Sequence, residues 1–375
     1  LATLIAFVVL EALANVYLHR LADADTFTRY ASMRQLQEQR LASDPRFTPH
    51  RYLAYYPTPN YVAGPNKHNS LGYRGEEIPL PKPDGRFRIA CLGGSTTYTE
   101  HIEDYRKSYP YFLEQHIKGQ GYENVDVVNA CAGGWSSWET LINFELQILD
   151  LDPDLIIVYH GINDIHSRLA WPPEAYRGDN SGHRAPTLTS IFMPSLLEYS
   201  TLMRMVMIKA RMTKSHAAFE RTIDLVPDTY LGTQFLKQKL QGTYPTELFE
   251  KTSAAAIMER NGPIYFERNI RNVVALAKTH GIDVLLSSFA YSPLFVNRPR
   301  ASSREYISAY GHNNRLVEAI AEEMDVHFFD FAEAFPAQKQ WYVDGRHVTK
   351  KGARLKSKLF GEFLIDKRLV AEADD

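Results

Sequence analysis

The chain has 375 residues, 45% hydrophobic and 23% charged, with 42 Lys and Arg against 44 Asp and Glu. This ordinary globular composition excludes a disordered tail and a collagen-like rod, and a net charge of −2 with interspersed signs lacks the basic excess of a nucleic-acid reader. Two cysteines, Cys91 and Cys131, are too few for a disulfide scaffold or a thiolate zinc site. Both fall in apolar, strand-like runs and read as small core residues rather than as redox or nucleophilic thiols.

Residues 1–18, LATLIAFVVLEALANVYL, are strongly polar only at Glu11 and Asn15, and as a helix they cover about 27 Å, enough for one membrane span. The run opens on Leu rather than Met, so a longer apolar stretch is expected upstream. A cleaved signal peptide fits less well, since no basic region precedes the run and no small-x-small cleavage site follows it; a buried core helix is the remaining alternative. Glu11 is the main objection to an anchor, because a carboxylate at mid-membrane costs about 2.5–3.5 kcal/mol. Protonation or a facing helix, including one from a membrane-protein partner, would relieve it. Residues 19–68 turn polar and then Pro-rich, which predicts a juxtamembrane helix followed by an extended arm.

From residue 69 onward the pattern is α/β. Apolar runs at 87–92 (FRIACL), 125–129 (VDVVN) and 155–159 (LIIVY) each end in a glycine or polar cluster, and helical spacing fills 108–121 and 137–149 between them. Later, helical runs at 266–281 and 313–324 lead into strands at 284–289 and 326–331, and a last helix covers 350–365. Strands alternating with helices predict a parallel sheet covered on both faces, with the site beyond the carboxyl ends of the strands. The alternation breaks over 169–258, which predicts an insertion. Its most ordered part is a helix over 195–214 with four methionines and the basic residues Arg204, Lys209, Arg211 and Lys214. That helix reads either as packed on the main domain or as a basic amphipathic element against lipid or an acyl chain.

Four clusters at strand ends carry candidate chemistry. Ser95 follows two glycines at a strand-to-helix turn, where helix amides face a developing anion. Gly134 follows the second strand, where the missing side chain lets an amide approach a ligand, and the neighbouring Gly133 competes for the same role. Asn163 follows the third strand with an uncharged donor. Asp344 precedes His347 by three residues, close enough in a turn to hold one ring nitrogen while the other faces a nucleophile. His160, Asp164 and His166 could suggest a metal, but 160 and 164 straddle a strand end with no guaranteed common face, so no metal is expected and Asp164 reads as a loop brace.

Together, RIACLGGSTT, VVNACAGGWSS, VYHGIND and VDGRHVTKKG resemble the four ordered blocks of the SGNH hydrolases, also called the GDSL lipase/esterase family, and NSLGYRGEEIP resembles the segment before the first strand in anchored members. The resemblance covers about 69–168 and 259–365. It implies a three-layer α/β/α sandwich with a parallel flavodoxin-like sheet, carrying here an N-terminal membrane helix and a helical insertion. It also implies Ser95 as nucleophile, His347 as general base and then acid, and Asp344 as its orienting partner, with an oxyanion hole from the amides of Ser95 and Gly134 and the side chain of Asn163. Counting five residues on from Asn129, as in the family, favours Gly134 over Gly133. The chain departs from the family where Gly94 replaces the aspartate of Gly-Asp-Ser-Leu and Thr96 its leucine.

The expected activity is hydrolysis of a lipid, acetylated-carbohydrate or small ester, without metal or organic cofactor and without nucleic acid. Acyl transfer to a glycan hydroxyl and a non-catalytic subunit of a membrane assembly are the alternatives. A single-pass anchor with the catalytic domain on the extracytoplasmic face is the expected location.

Overall fold

The computed structural model describes residues 1–32, 34–36, 45–48, 50, 52, 53, 55–169, 176, 178, 199–213, 215, 253–295 and 303–371. The chain divides into two compact units, one built from residues 1–56 and 181–237, the other from 57–180 and 238–375.

The larger unit is a five-stranded parallel sheet: β1 Phe87–Gly93, β2 Val125–Asn129, β3 Leu155–Tyr159, β4 Asp283–Ser287 and β5 His327–Phe329. Their spatial order is β2-β1-β3-β4-β5, the flavodoxin-like order. β3 is buried along its whole length, which is why LIIVY is a continuous apolar run without alternation.

The helices are α1 Ser95–Tyr98, α2 Tyr109–Lys118, α3 Ser137–Asn143, α4 Ile162–Ser167, α5 Ile264–Thr279, α6 Ser303–Glu323 and α7 Lys350–Asp366. α2 packs with α7, while α5 packs with α3 and α6. Right-handed crossovers put these two groups on opposite faces: the connection through α2 steps one way along the sheet and those through α3, α5 and α6 step the other. The fold is thus a three-layer α/β/α sandwich of the SGNH kind. Between the sheet and α6, the rings of Tyr159, Phe289 and Tyr310 stack at 4.9 and 5.0 Å.

Three elements differ from the sequence expectation. The run 137–149 is not one helix: α3 ends at Asn143 and passes into a π-turn, Phe144–Ile148, then a 3₁₀ turn, Leu149–Leu151. Phe144 and Ile148 are both fully buried in this segment. β5 stops at Phe329 because Asp330 caps the turn Phe331–Ala334, accepting from the Glu333 amide. α6 starts about ten residues early, bringing Tyr306 and Tyr310 onto its buried side.

In the smaller unit, helix Ala2–Val16 continues as a π-turn through Leu21. The 20-residue stretch Ala2–Leu21 is long and apolar enough to cross a membrane, and Leu4, Ile5, Val8 and Leu13 are exposed. The Met-rich helix is shorter than expected, Thr201–Lys209; residues 195–198 and 214 lie outside the described residues, as does most of the insertion 169–258. Its N-terminus is capped by Glu11, whose carboxylate accepts from the Thr201 amide at 2.7 Å, the Leu202 amide at 3.0 Å and Ser200 Oγ at 2.7 Å. The carboxylate thus faces a helix end with unpaired N–H groups. Arg204 is buried, donating to the Tyr30 carbonyl at 2.9 Å, so it does not belong to an exposed basic face. A separate short helix, Ala24–Tyr30, follows the first.

Candidate active site

Parallel strands end on one edge, and pairing of Gly93 with Tyr159 and of Cys91 with Asn129 keeps three of those ends level. Ser95 therefore lies two residues beyond β1, Gly134 five beyond β2 and Asn163 four beyond β3, all at the same edge. Ser95 is the first residue of α1, with its side chain half-buried.

Asp344 and His347 arrive on the loop between β5 and α7. A bridge between Tyr342 and Val348 closes this loop, together with hydrogen bonds from the Val343 amide to the His347 carbonyl at 2.7 Å and from the Thr349 amide to the Trp341 carbonyl at 2.9 Å. The turn at its tip requires φ +90° at Gly345.

The three side chains meet in line. His347 Nε2 lies 2.8 Å from Ser95 Oγ, and His347 Nδ1 lies 2.8 Å from Asp344 Oδ2. Asp344 Oδ1 also accepts from the amides of Arg346 and His347, at 3.1 and 2.9 Å. Burial disfavours the Asp344 carboxylate, but the hydrogen bonds and charge of His347, with Arg346 nearby, outweigh it and hold the carboxyl well below its ordinary range. An ionised Asp344 fixes the Nδ1–H tautomer, so Nε2 is left to accept the Ser95 hydroxyl proton.

The other half of the site is the loop before α3. Gly134 adopts φ +82°, a conformation that L side chains rarely take. Asn163 Nδ2 donates to the Trp135 carbonyl at 2.8 Å, which spends one of its two N–H groups and leaves the second. Gly94 fits against the same two atoms: a Cβ there would lie 2.6 Å from the Trp135 oxygen and 2.7 Å from Asn163 Nδ2. This closeness is the structural reason why the aspartate of the family pattern has no room here.

Asp164, read from the sequence as a loop brace, and several residues that the sequence reading did not single out hold these parts. Asp164 Oδ1 accepts from Ser137 N at 2.9 Å and Ser137 Oγ at 2.6 Å, and Asn269 Nδ2 donates to Ser137 Oγ at 3.1 Å. Buried Glu139 accepts from Ser136 N and Oγ at 2.8 and 2.6 Å, a capping box readable in the Ser-x-x-Glu spacing. On the serine side, buried Arg74 donates to the carbonyls of Tyr98, Thr99 and Glu103 at 2.7, 3.1 and 3.0 Å, and to that of Ile102. These carbonyls end α1 and carry the loop on which His101, at φ +69°, sets its ring 4.8 Å from that of His347.

Lys356 of α7, 1% exposed, lies beneath the serine turn. Its Nζ sits 3.5 Å from the Tyr159 ring centre and 4.3 Å from that of Tyr109, and 3.4 Å from the Thr96 carbonyl. Burial pushes the ammonium down to about 7, against the pull of Cys91 and Cys131. Cys91 and Cys131 are buried, and burial pushes the Cys91 thiol up to about 12, the behaviour of an inert core cysteine.

His160 and Asp164 approach to 3.5 Å, His160 also meeting Thr140 Oγ1 at 2.8 Å, whereas His166 turns away to Tyr306 at 3.0 Å. His101, Asp344 and His347 offer possible ligand atoms within 4.8 Å of one another. That spread exceeds the roughly 3.4 Å ligand edge implied by zinc–nitrogen bonds of about 2.0–2.1 Å, and both His347 nitrogens already have partners.

A sequence profile described as the GDSL-like lipase/acylhydrolase family matches residues 91–355. No curated protein sequence matches the chain. Among solved structures, similarity extends to a GDSL-like lipase from Bacteroides thetaiotaomicron, with 14% identity over 77% of this chain and 93% of that one, at a TM-score of 0.42. A lipase/acylhydrolase from Enterococcus faecalis shows 13% identity over 75% and 96%, at 0.41. An acetyl-xylooligosaccharide esterase from Geobacillus shows 13% over 73% and 92%, at 0.41.

Proposed function

Because the chain belongs to the GDSL-like lipase/acylhydrolase family, we propose that it hydrolyses a carboxylic ester through an acyl-enzyme carried on Ser95. The observation that carries this reading is the line Ser95–His347–Asp344, with both links at 2.8 Å. Ser95 Oγ attacks the ester carbonyl while His347 Nε2 takes its proton, and Asp344 holds the ring and offsets the imidazolium charge. The oxyanion is met by the amides of Ser95 and Gly134 and by the second N–H of Asn163. The intermediate collapses with loss of the alcohol, which receives its proton from His347. A water molecule, deprotonated by the same nitrogen, then frees the acid and restores Ser95.

The stretch Ala2–Leu21 supports an N-terminal membrane anchor over residues 1–18, with 19–68 as a juxtamembrane arm leading to the hydrolase domain at 69–375. In this reading the catalytic domain stands on the extracytoplasmic side.

A fluorophosphonate probe tests the chemistry. The parent protein labels and turns over p-nitrophenyl acetate, and Ser95→Ala loses both while keeping its circular dichroism. Undiminished labelling of Ser95→Ala would overturn the assignment.

A further inference from the structure

A groove of about 840 Å³ runs along the outer side of α2 and α7, within the roughly 300–1,000 Å³ typical of sites for small ligands. Its floor is apolar and aromatic, formed by Phe112, Trp341 and Leu355. Its rim is cationic: Lys350, Lys351, Arg354 and Lys358, all exposed, stand along the first turns of α7. No acidic side chain lines it among the described residues. Lys358 is ion-paired with Glu362 at 3.6 Å, whereas the Arg354 guanidinium lies 4.7 Å over the Phe112 ring.

The groove is tied to the reacting groups through the backbone. Trp341 precedes Asp344 by three residues, and Lys350 follows His347 by three, which limits its Cα to about 10–11 Å from that of His347. The carbonyl of Trp341 accepts from the Thr349 amide, so the aromatic floor and the start of α7 belong to the loop that carries Asp344 and His347. The groove thus shares its backbone with that loop, although neither Ser95 nor His347 lines it.

We propose that this groove binds an anionic glycan chain, and that the ester cleaved at Ser95 is an O-acyl group on that chain; the substrate assignment rests on the hydrolase reading above. Lys350, Lys351 and Arg354, with no carboxylate in the groove lining, select a polymer with repeated carboxylate or phosphate groups. The Trp341 ring beside those cations suits the apolar face of a sugar ring, whereas the Phe112 face is taken by Arg354. The concavity of the groove suits an inserted chain better than a flat anionic bilayer.

The test uses the full-length protein with three esters: an O-acetylated oligouronate, an O-acetylated neutral xylo-oligosaccharide and p-nitrophenyl acetate. The parent prefers the oligouronate in kcat/KM, and added salt erodes that preference. The double variant Lys351→Ala/Arg354→Ala reduces the ratio of acidic to neutral kcat/KM by about tenfold. In parallel, ester-free oligouronate binding to Ser95→Ala is followed by tryptophan fluorescence, and adding the two charge deletions weakens it by a similar factor. Equal ratios in parent and variant, or binding that the deletions do not change, would overturn the groove. So would a loss of binding confined to phosphatidylglycerol vesicles, which would assign the cations to a membrane. Binding of oligouronate without turnover of any ester would instead overturn the hydrolase reading and leave the groove standing.

Discussion

The turn that carries Ser95 and the loop that carries Gly134 sit at neighbouring strand ends, yet they are braced by opposite charges. Under the serine turn lie two buried cations, Arg74 and Lys356, both directed at backbone carbonyls. Behind the glycine loop lie two buried carboxylates, Glu139 and Asp164, both accepting from backbone amides and hydroxyls. Helix polarity accounts for the difference. α1 is so short that its carbonyl end, which needs donors, must be held inside the site, whereas α3 presents its amide end, which needs acceptors. The lesson is that the sign of a bracing residue follows from which end of a helix the site uses.

This contrast can be broken by substitution, in descending order of effect on catalysis. Arg74→Met leaves several buried carbonyls without a donor, each costing about 1–3 kcal/mol. A loss of about 3 kcal/mol or more in the urea midpoint analysis is expected, with turnover falling as the serine turn loosens; a loss under about 1 kcal/mol would show that Arg74 is not a brace. Glu139→Gln keeps an acceptor but removes its charge, and charge-assisted bonds are roughly twice as strong as neutral ones. A stability loss of about 1 kcal/mol is expected, together with a lower kcat from the displaced Gly134 loop. An unchanged kcat would separate the capping box from the site.

Lys356→Met is expected to change turnover least and to change the pH dependence of stability most. The folded chain releases the Lys356 proton near 7 while the unfolded chain keeps it to the ordinary lysine range. Between those values the unfolded state binds more protons, so the parent gains stability relative to the variant as pH rises, by at most about 1.4 kcal/mol per pH unit. Denaturation of both proteins from pH 7 to 9.5 measures the difference, and a constant offset across that range would mean that Lys356 titrates normally.

The strands are legible in the sequence because each is a short apolar run closed by a glycine or polar cluster, as in LIIVY before His160. That Ser95, Asn163, Asp344 and His347 gather at one edge is equally legible, since parallel strands put every such cluster on the same side. The braces are not. Arg74 acts 21 residues upstream of Ser95 and Lys356 acts 261 downstream, and in sequence each is one more cation, Lys356 sitting in a helix that reads KKGARLKSKLFGEFLI. Only the packing of α7 against the sheet reveals that this one lysine faces inward. The π-turn after α3 is hidden too, because Phe144 and Ile148 satisfy an ordinary helical spacing in sequence. Gly94 was legible as a departure from the family pattern, but its cause lies in the Trp135 carbonyl, which no local spacing reports.

The carboxylate of Glu11 accepts from Asn15 of its own helix at 2.9 Å and from three donors 189 to 191 positions later in the chain. At synthesis rates of about 5–20 residues per second, roughly 10–40 s separate the emergence of the two. For that interval Glu11 has no helix end to cap and pairs only with Asn15. In water the wait has no consequence. In a bilayer it leaves a carboxyl group exposed to hydrocarbon at a cost of about 2.5–3.5 kcal/mol, so lateral insertion of the first helix would become secure only once the Thr201 helix has been made. The Thr201 helix thus supplies late in synthesis the backbone donors that complete the Glu11 carboxylate's hydrogen bonds.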